Sequence, residues 1–381
     1  MKYLNVLLCA LLVSGCSWFG GDDDESQIEP AELVDFDHEI SIKRLWSTGI
    51  GSSVKGYRAS LRPAASETMV FAADHEGQIN ALDLNSGKRK WKVELDKPVS
   101  GGVGYGFGLV MVGTLEGDVH VYNAESGSEL WSTKVSSEVL SRPQTNGDIV
   151  VLQTIDNKLY ALDAQSGEQV WRHDGDAPIL TLRGTGSALV TDKIVLVGSD
   201  SGKLVALNPE SGVLIWEARL ALPRGRTELE RMVDIDGEPL LVGDVVYAVS
   251  YQGRLGALSR GTGRGLWFQD SSSHDAPAYS LEQVFATEAD DTVRAFRSGS
   301  GQVIWSNDQL FLRQVTGPVK FSDYIAVADA EGYLHVLDRV DGHFVGRKRV
   351  DGSGVSTPLL SVGDKLIAQA NDGSVSAYII K

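Results

Sequence analysis

Seven histidines, two cysteines, one glycine run and several groups of carboxylates are the residues of this 381-residue chain whose types could do chemistry. A metal site needs ligands at short fixed spacings that bring them onto one face. His38, His75, His120, His173, His274, His335 and His343 are scattered without such spacing, which predicts surface or turn positions for most of them and no metal. The run Gly101-Gly102-Val103-Gly104-Tyr105-Gly106-Phe107-Gly108 has the composition of a phosphate cradle, but a cradle needs a helix N-terminus behind it. A strand follows instead, so the glycines are expected to serve unusual strand packing. Ser52, within Gly51-Ser52-Ser53, lacks the strand-turn-helix setting of an activated nucleophile. The acidic run Asp22-Asp23-Asp24-Glu25 reads as a solvated tether rather than a calcium site. No catalytic residue and no cofactor are predicted.

Cys16 is the exception, because its setting specifies a reaction. Lys2 gives a positive start, Leu4 to Val13 is an apolar run broken only by Asn5, and Leu12-Val13-Ser14-Gly15 precedes the cysteine. The run is too short to span a bilayer and reads as an export signal over residues 1–15. Its end resembles the lipobox of bacterial lipoproteins, in which the cysteine becomes the acylated first residue after cleavage. Cys9, the only other cysteine, falls inside the removed segment, so the mature chain can form no internal disulfide. Ser17 follows, not the Asp that marks retention at the inner membrane in similar lipoproteins, which implies delivery to the outer membrane, facing the periplasm. Residues 16–37 are then expected to be the lipidated cysteine and a flexible acidic tether. The net charge of −16, from 35 Lys plus Arg against 51 Asp plus Glu, disfavours nucleic acid or an anionic membrane as a partner of the body itself.

The elements that must position any site come from a repeat. A turn residue, an alternating apolar strand, a Ser-Gly or equivalent turn ten positions on and a tryptophan at fourteen recur, first as Gly77, Ala81-Leu82-Asp83, Ser86-Gly87 and Trp91. Further copies start at Gly117, Asn157, Gly202, Gly253, Asp291 and Gly332, with tryptophans at Trp131, Trp171, Trp216, Trp267 and Trp305 and Gly346 in the last. Period-two alternation between Gly, Asn and Asp turns predicts hairpins, and an apolar strand such as Leu189 to Val197 precedes each. A period near 40 residues predicts propeller blades. An eighth copy begins at Gly373 but the chain stops at Lys381, whereas Ile40 to Trp46 is a strand with the tryptophan and no copy before it. Joining these ends predicts an all-β fold, an eight-bladed β-propeller of four-stranded antiparallel blades over residues 38–381, its last blade closed by the N-terminal strand. The repeated tryptophans are assigned to packing between blades.

The pattern Ala-Leu-Asp-x-x-Ser-Gly-x-x-x-Trp, clearest at Ala81 to Trp91 and Ala161 to Trp171, is similar to the repeat of pyrroloquinoline-quinone dehydrogenases and their non-enzymatic relatives. With the lipobox and the acidic tether, the chain resembles the propeller lipoproteins of the outer-membrane β-barrel assembly machinery. The dehydrogenases carry adjacent cysteines against the quinone, which this chain cannot supply. The resemblance therefore implies a scaffold, not an enzyme, that holds no cofactor and aids insertion of outer-membrane proteins. A generic periplasmic propeller adaptor is the alternative.

Departures from the repeat mark where a partner would bind. The stretch from tryptophan to the next copy grows after Trp171 and again after Trp216, in neighbouring and equivalent connections that should project side by side. The first insertion contains Ile179 to Gly184 and the second Arg231 to Gly237, and apolar anchors beside Arg suit protein binding. By the resemblance, Leu180, Leu182, Arg183, Asp234 and Asp236 match the positions that engage BamA, the partner it implies. The leucines would fill a groove, Arg183 would offer a bidentate fork, and the aspartates would orient Arg183 or meet partner cations. The plain alternatives are inward strand positions for the leucines and turn capping for the aspartates. Nascent barrel strands, added to a blade edge, are a further candidate partner.

Overall fold

A computed structural model describes residues 29–51, 61–175, 186–222, 226–227, 230 and 232–381. Every regular element among them is a strand, and the strands form eight antiparallel sheets of four. In chain order blades 1 to 7 occupy residues 64–94, 99–134, 144–174, 189–219, 240–271, 278–307 and 319–349. The eighth combines the strands Leu360–Val362, Lys365–Gln369 and Ser374–Ile380 with Ile42–Gly49, which pairs antiparallel to the last of these and sets Trp46 opposite Ala377. The expected closure by the N-terminal strand is therefore present.

The repeat motif is explained by the turn it builds. Asp83, Asn123, Asp163 and Asn208 each use one side-chain oxygen to accept hydrogen bonds from the amides two and three residues on, at 2.8–3.2 Å, and from the Ser hydroxyl before the glycine. Gly87, Gly127, Gly167, Gly212, Gly263, Gly301 and Gly342 then take left-handed φ values of 66–80°. Each lies flat against the indole of the preceding blade, where a Cβ would come within 2.4–2.7 Å of the ring. The indole N–H donates to a main-chain carbonyl of the next blade: Trp46 to Leu84, Trp91 to Ala124, Trp131 to Ala164, Trp171 to Pro209, Trp216 to Arg260, Trp267 to Ser298 and Trp305 to Arg339, at 2.7–3.0 Å. The tryptophan of one copy and the glycine of the next are thus two halves of one seam, so each copy takes part in two seams.

The buried apolar residues follow the same logic. They fall into eight clusters, each drawn from two neighbouring blades, including one that joins blade 8 to blade 1 through Trp46, Val375, Ala377, Val70 and Leu82. A single blade has no core of its own, so the ring is held by what lies between blades.

Three expectations change in detail. Leu189 to Val197 is not one strand but two, Leu189–Val190 and Val195–Gly198, because Thr191 turns the chain by accepting the amides of Lys193 and Ile194 on its hydroxyl. His335 is not at a surface or turn but fully buried on the strand Tyr333–Leu337. Residues 29–37, expected within the tether, run against blade 7: the Ala31 amide donates to Phe311 O at 2.9 Å and Phe36 packs beside Phe344. The glycine run behaves as strand packing. It forms Val99–Gly106, and a Cβ on Gly101 or Gly104 would strike the carbonyl oxygens of Ser141 or Pro143 in the next blade, at 2.4 and 2.0 Å.

Candidate functional site

In a four-stranded antiparallel blade, the turn between the second and third strands and the connector to the next blade leave from the same end. Both enlarged connectors therefore lie on one face of the ring, with the turns that begin at Ser199 and Ser250. Leu180, Leu182 and Arg183, like Arg231 and Cys16, fall outside the described residues. The described ends still show that the two insertions meet. Gly186, closing the first, sits against the second so closely that a Cβ would be 2.9 Å from Ile235 O and 3.3 Å from Asp236 O.

The second insertion is anchored rather than loose. Ile235 packs into the core between blades 4 and 5 and approaches Gly198, and the main chain on either side bonds to two turns, Tyr251 N to Asp234 O at 2.8 Å and Ile235 N to Ser199 O at 3.4 Å. This places Asp234 at 1% exposure and Asp236 largely buried. Asp200 joins them from the turn of blade 4, accepting a hydrogen bond from Asn157 of blade 3 at 3.1 Å, and Asp275 from the next connector. Burial pushes the Asp236 carboxyl up to about 8, helped by Asp234, Asp200 and Asp275. Burial and Asp234 push Asp200 up to about 7; burial and Asp291 raise Asp275 to about 6 against the pull of Arg62. His274, stacked on Tyr251 at 4.2 Å, stands 4.0 Å from Asp236.

Toward the ring axis, three connectors from non-adjacent blades meet. Glu238, ahead of blade 5, accepts from Arg142, ahead of blade 3, and from Gln144 at 3.2 Å, and lies 3.9 Å from Arg62, ahead of blade 1. Blades 1, 3 and 5 are not neighbours, so this ion cluster links connectors at the inner rim of the ring on the connector face. Burial first, then Arg142, lowers the Arg62 guanidinium to about 10. The adjacent cysteines that the resembling dehydrogenases carry against the quinone have no counterpart here, since the chain's two, Cys9 and Cys16, both precede the propeller. The residues present do not fit that cofactor.

Spacing anticipates that the two insertions meet, and it singles out Asp234 and Asp236 in the second. It misses Asp200, Asp275, Glu238, Arg62 and Arg142, which come from five different turns or connectors and carry no local motif. Among the described residues one group of three possible metal ligands lies close together, Asp338, Asp341 and His343. The His343 ring is already held between Asp341 and Glu39, so it acts as a strut.

The sequence matches the family described as outer membrane protein assembly factor BamB over residues 75–307 and 289–381. It is 50% identical over 380 residues to the outer membrane protein assembly factor BamB of Pseudomonas aeruginosa, covering 100% of this chain and 99% of that protein. The Escherichia coli BamB is 35% identical over 379 residues, 97% and 96% of the two chains. In structure the chain is similar to BamB from Moraxella catarrhalis, with a TM-score of 0.82 and 28% identity over 89% of this chain and 100% of that one. A quinohemoprotein alcohol dehydrogenase from Comamonas testosteroni shares the fold alone, with a TM-score of 0.67 at 13% identity. The chain belongs to the BamB family of outer membrane protein assembly factors.

Proposed function

We propose that this protein is a non-enzymatic scaffold subunit of the outer-membrane β-barrel assembly complex, anchored in the outer membrane through acylated Cys16 and binding BamA from the periplasmic side. The observation that carries this reading is the convergence of two enlarged neighbouring connectors on one face, over a frame of eight short closed blades. Leu180, Leu182 and Arg183 supply the contact, and the buried Asp234 and Asp236 act by holding the second connector and orienting Arg183. The ion cluster that links the connectors ahead of blades 1, 3 and 5 and the absence of a cysteine pair in the propeller support a scaffold over a quinone enzyme.

Arg183→Glu tests this directly. The variant should melt as the wild type does yet lose co-purification with BamA from solubilised envelopes, and retained binding would place the contact elsewhere on the ring. A second reading, strand addition by nascent barrels at a blade edge, is favoured by one feature. Val213, just ahead of the outer strand of blade 4, and Leu214 and Ile215 at its start are exposed by 63%, 47% and 46%, an apolar edge that soluble proteins usually guard with charge.

A further inference from the structure

One seam departs from the other seven. Blade 7 carries Gly346 where the repeat has tryptophan, and blade 8 offers no Ser-Gly turn for an indole to cover. The gap is filled by the N-terminal segment: a Cβ on Gly346 would be 2.8 Å from Ile40 Cγ1 and 3.2 Å from Ile42 Cδ1. Ahead of Ile40 the segment runs along the outer strand of blade 7, Phe344–Arg349, in the opposite direction. The amides of Glu39 and Ile40 donate to Val345 O at 2.9 and 3.2 Å, and the segment starts beside the connector between blades 6 and 7, where the Ala31 amide meets Phe311 O.

Two guanidiniums clamp it, and both trace to one carboxylate. Asp329, fully buried, accepts from Arg313 Nε at 2.9 Å, and Arg313 Nη1 donates to Ala31 O at 2.9 Å. The second arm passes through His335. Arg347 Nε donates to His335 Nδ1 at 3.2 Å, which assigns the imidazole proton to Nε2, facing Asp329 at 3.0 Å. Arg347 Nη1 reaches Val34 O at 2.8 Å while its guanidinium lies 4.9 Å over the ring of Phe36, itself stacked on Phe344 at 5.5 Å. His343 completes the attachment by bonding Glu39 at 2.9 Å.

We propose that residues 29–40 are a strap that pins the membrane anchor to the ring at the connector between blades 6 and 7, with Asp329 as its lock, so that the face bearing the enlarged connectors is held toward the membrane. This rests on the reading of Cys16 as acylated. The geometry sets the leash. With the strap seated, about 13 residues separate Cys16 from Glu29 and reach at most roughly 45 Å; freed back to Ile42 the leash would double to roughly 90 Å. The direction also follows, because the strap enters at the connector end of blade 7 and runs toward the opposite end before the chain turns into Ile42–Gly49.

The test uses full-length lipoprotein in nanodiscs containing an acceptor-labelled lipid. A donor dye is placed either at Glu116, in a turn on the connector face, or at Ser126, in a turn on the opposite face. Energy transfer should be stronger from Glu116, and Arg347→Ala or Phe36→Ala should at least halve that difference. Hydrogen exchange on the same samples should speed up roughly tenfold at the amides of Ala31, Glu39 and Ile40 in both variants. Phe36 lies on the strap itself, so its removal leaves the ring intact. Equal transfer from the two faces, or a difference indifferent to both variants, overturns the proposal. If the protein fails to associate with nanodiscs at all, the anchor reading fails and the membrane-facing claim falls with it, whereas exchange at 29–40 that ignores Arg347→Ala removes the lock independently of the membrane.

Discussion

At the scale of single residues, the most informative group is Asp236. Its carboxyl sits in a low-dielectric setting beside other carboxylates, which raises it from 3.8 to about 8. The sign of the consequence is fixed by linkage. The folded state retains a proton that the unfolded chain releases, so stability is full below pH 4 and declines as pH rises toward 8. Asp236→Asn removes this penalty. It should stabilise the protein by about 1 to 3 kcal/mol at pH 8 and by little at pH 4.5, measured by denaturant titration at both pH values. A pH-independent difference would mean that the side chain acts through shape or hydrogen bonding instead. Sequence reading finds Asp234 and Asp236 because they lie in an insertion, but their burial was not legible. It arises from Ile235, whose packing between blades 4 and 5 drags both neighbours inward, and from Asp200 and Asp275, which sequence distance hides.

At the scale of the element, the unit is the seam rather than the blade. Each tryptophan covers the glycine of the next blade and donates to its turn, so one side chain contributes area, a hydrogen bond and the ring's register together. Trp267→Ala should lower unfolding free energy by roughly 3 to 5 kcal/mol. It leaves Ser298 O without its 2.7 Å donor and opens the cluster between blades 5 and 6. A thermal midpoint equal to that of the wild type would contradict the assignment of these tryptophans to packing. This layer was the most legible in the sequence, because it is local and repeated: the ten-residue spacing to glycine and the fourteen-residue spacing to tryptophan recur from Gly77 onward. What repetition could not show is the seam that lacks a tryptophan. Gly346 reads as a defect in isolation and becomes intelligible only when Ile40, some three hundred residues away in sequence, is seen to occupy the space. His335 is similar, since nothing in its strand signals the buried Asp329 that receives it.

At the scale of the whole molecule, closure by a borrowed strand leaves a ring with two unlike faces. One carries short Asx-stabilised turns that repeat around the circle. The other carries the connectors, among them two enlarged neighbours that meet at Gly186, with buried carboxylates on the second and an ion cluster that links connectors of non-neighbouring blades. The chain turns its irregularity to one side, which is how a rigid frame presents loops for recognition. The central claim is that this face, and not the repeated one, meets BamA. The most direct measurement is site-specific photo-crosslinking in intact cells, with the photoreactive residue at Leu182 in the first insertion or at Gln165 in a turn on the face opposite the connectors. An adduct with BamA from Leu182 and none from Gln165 is the predicted result; an adduct from Gln165 alone would contradict the account.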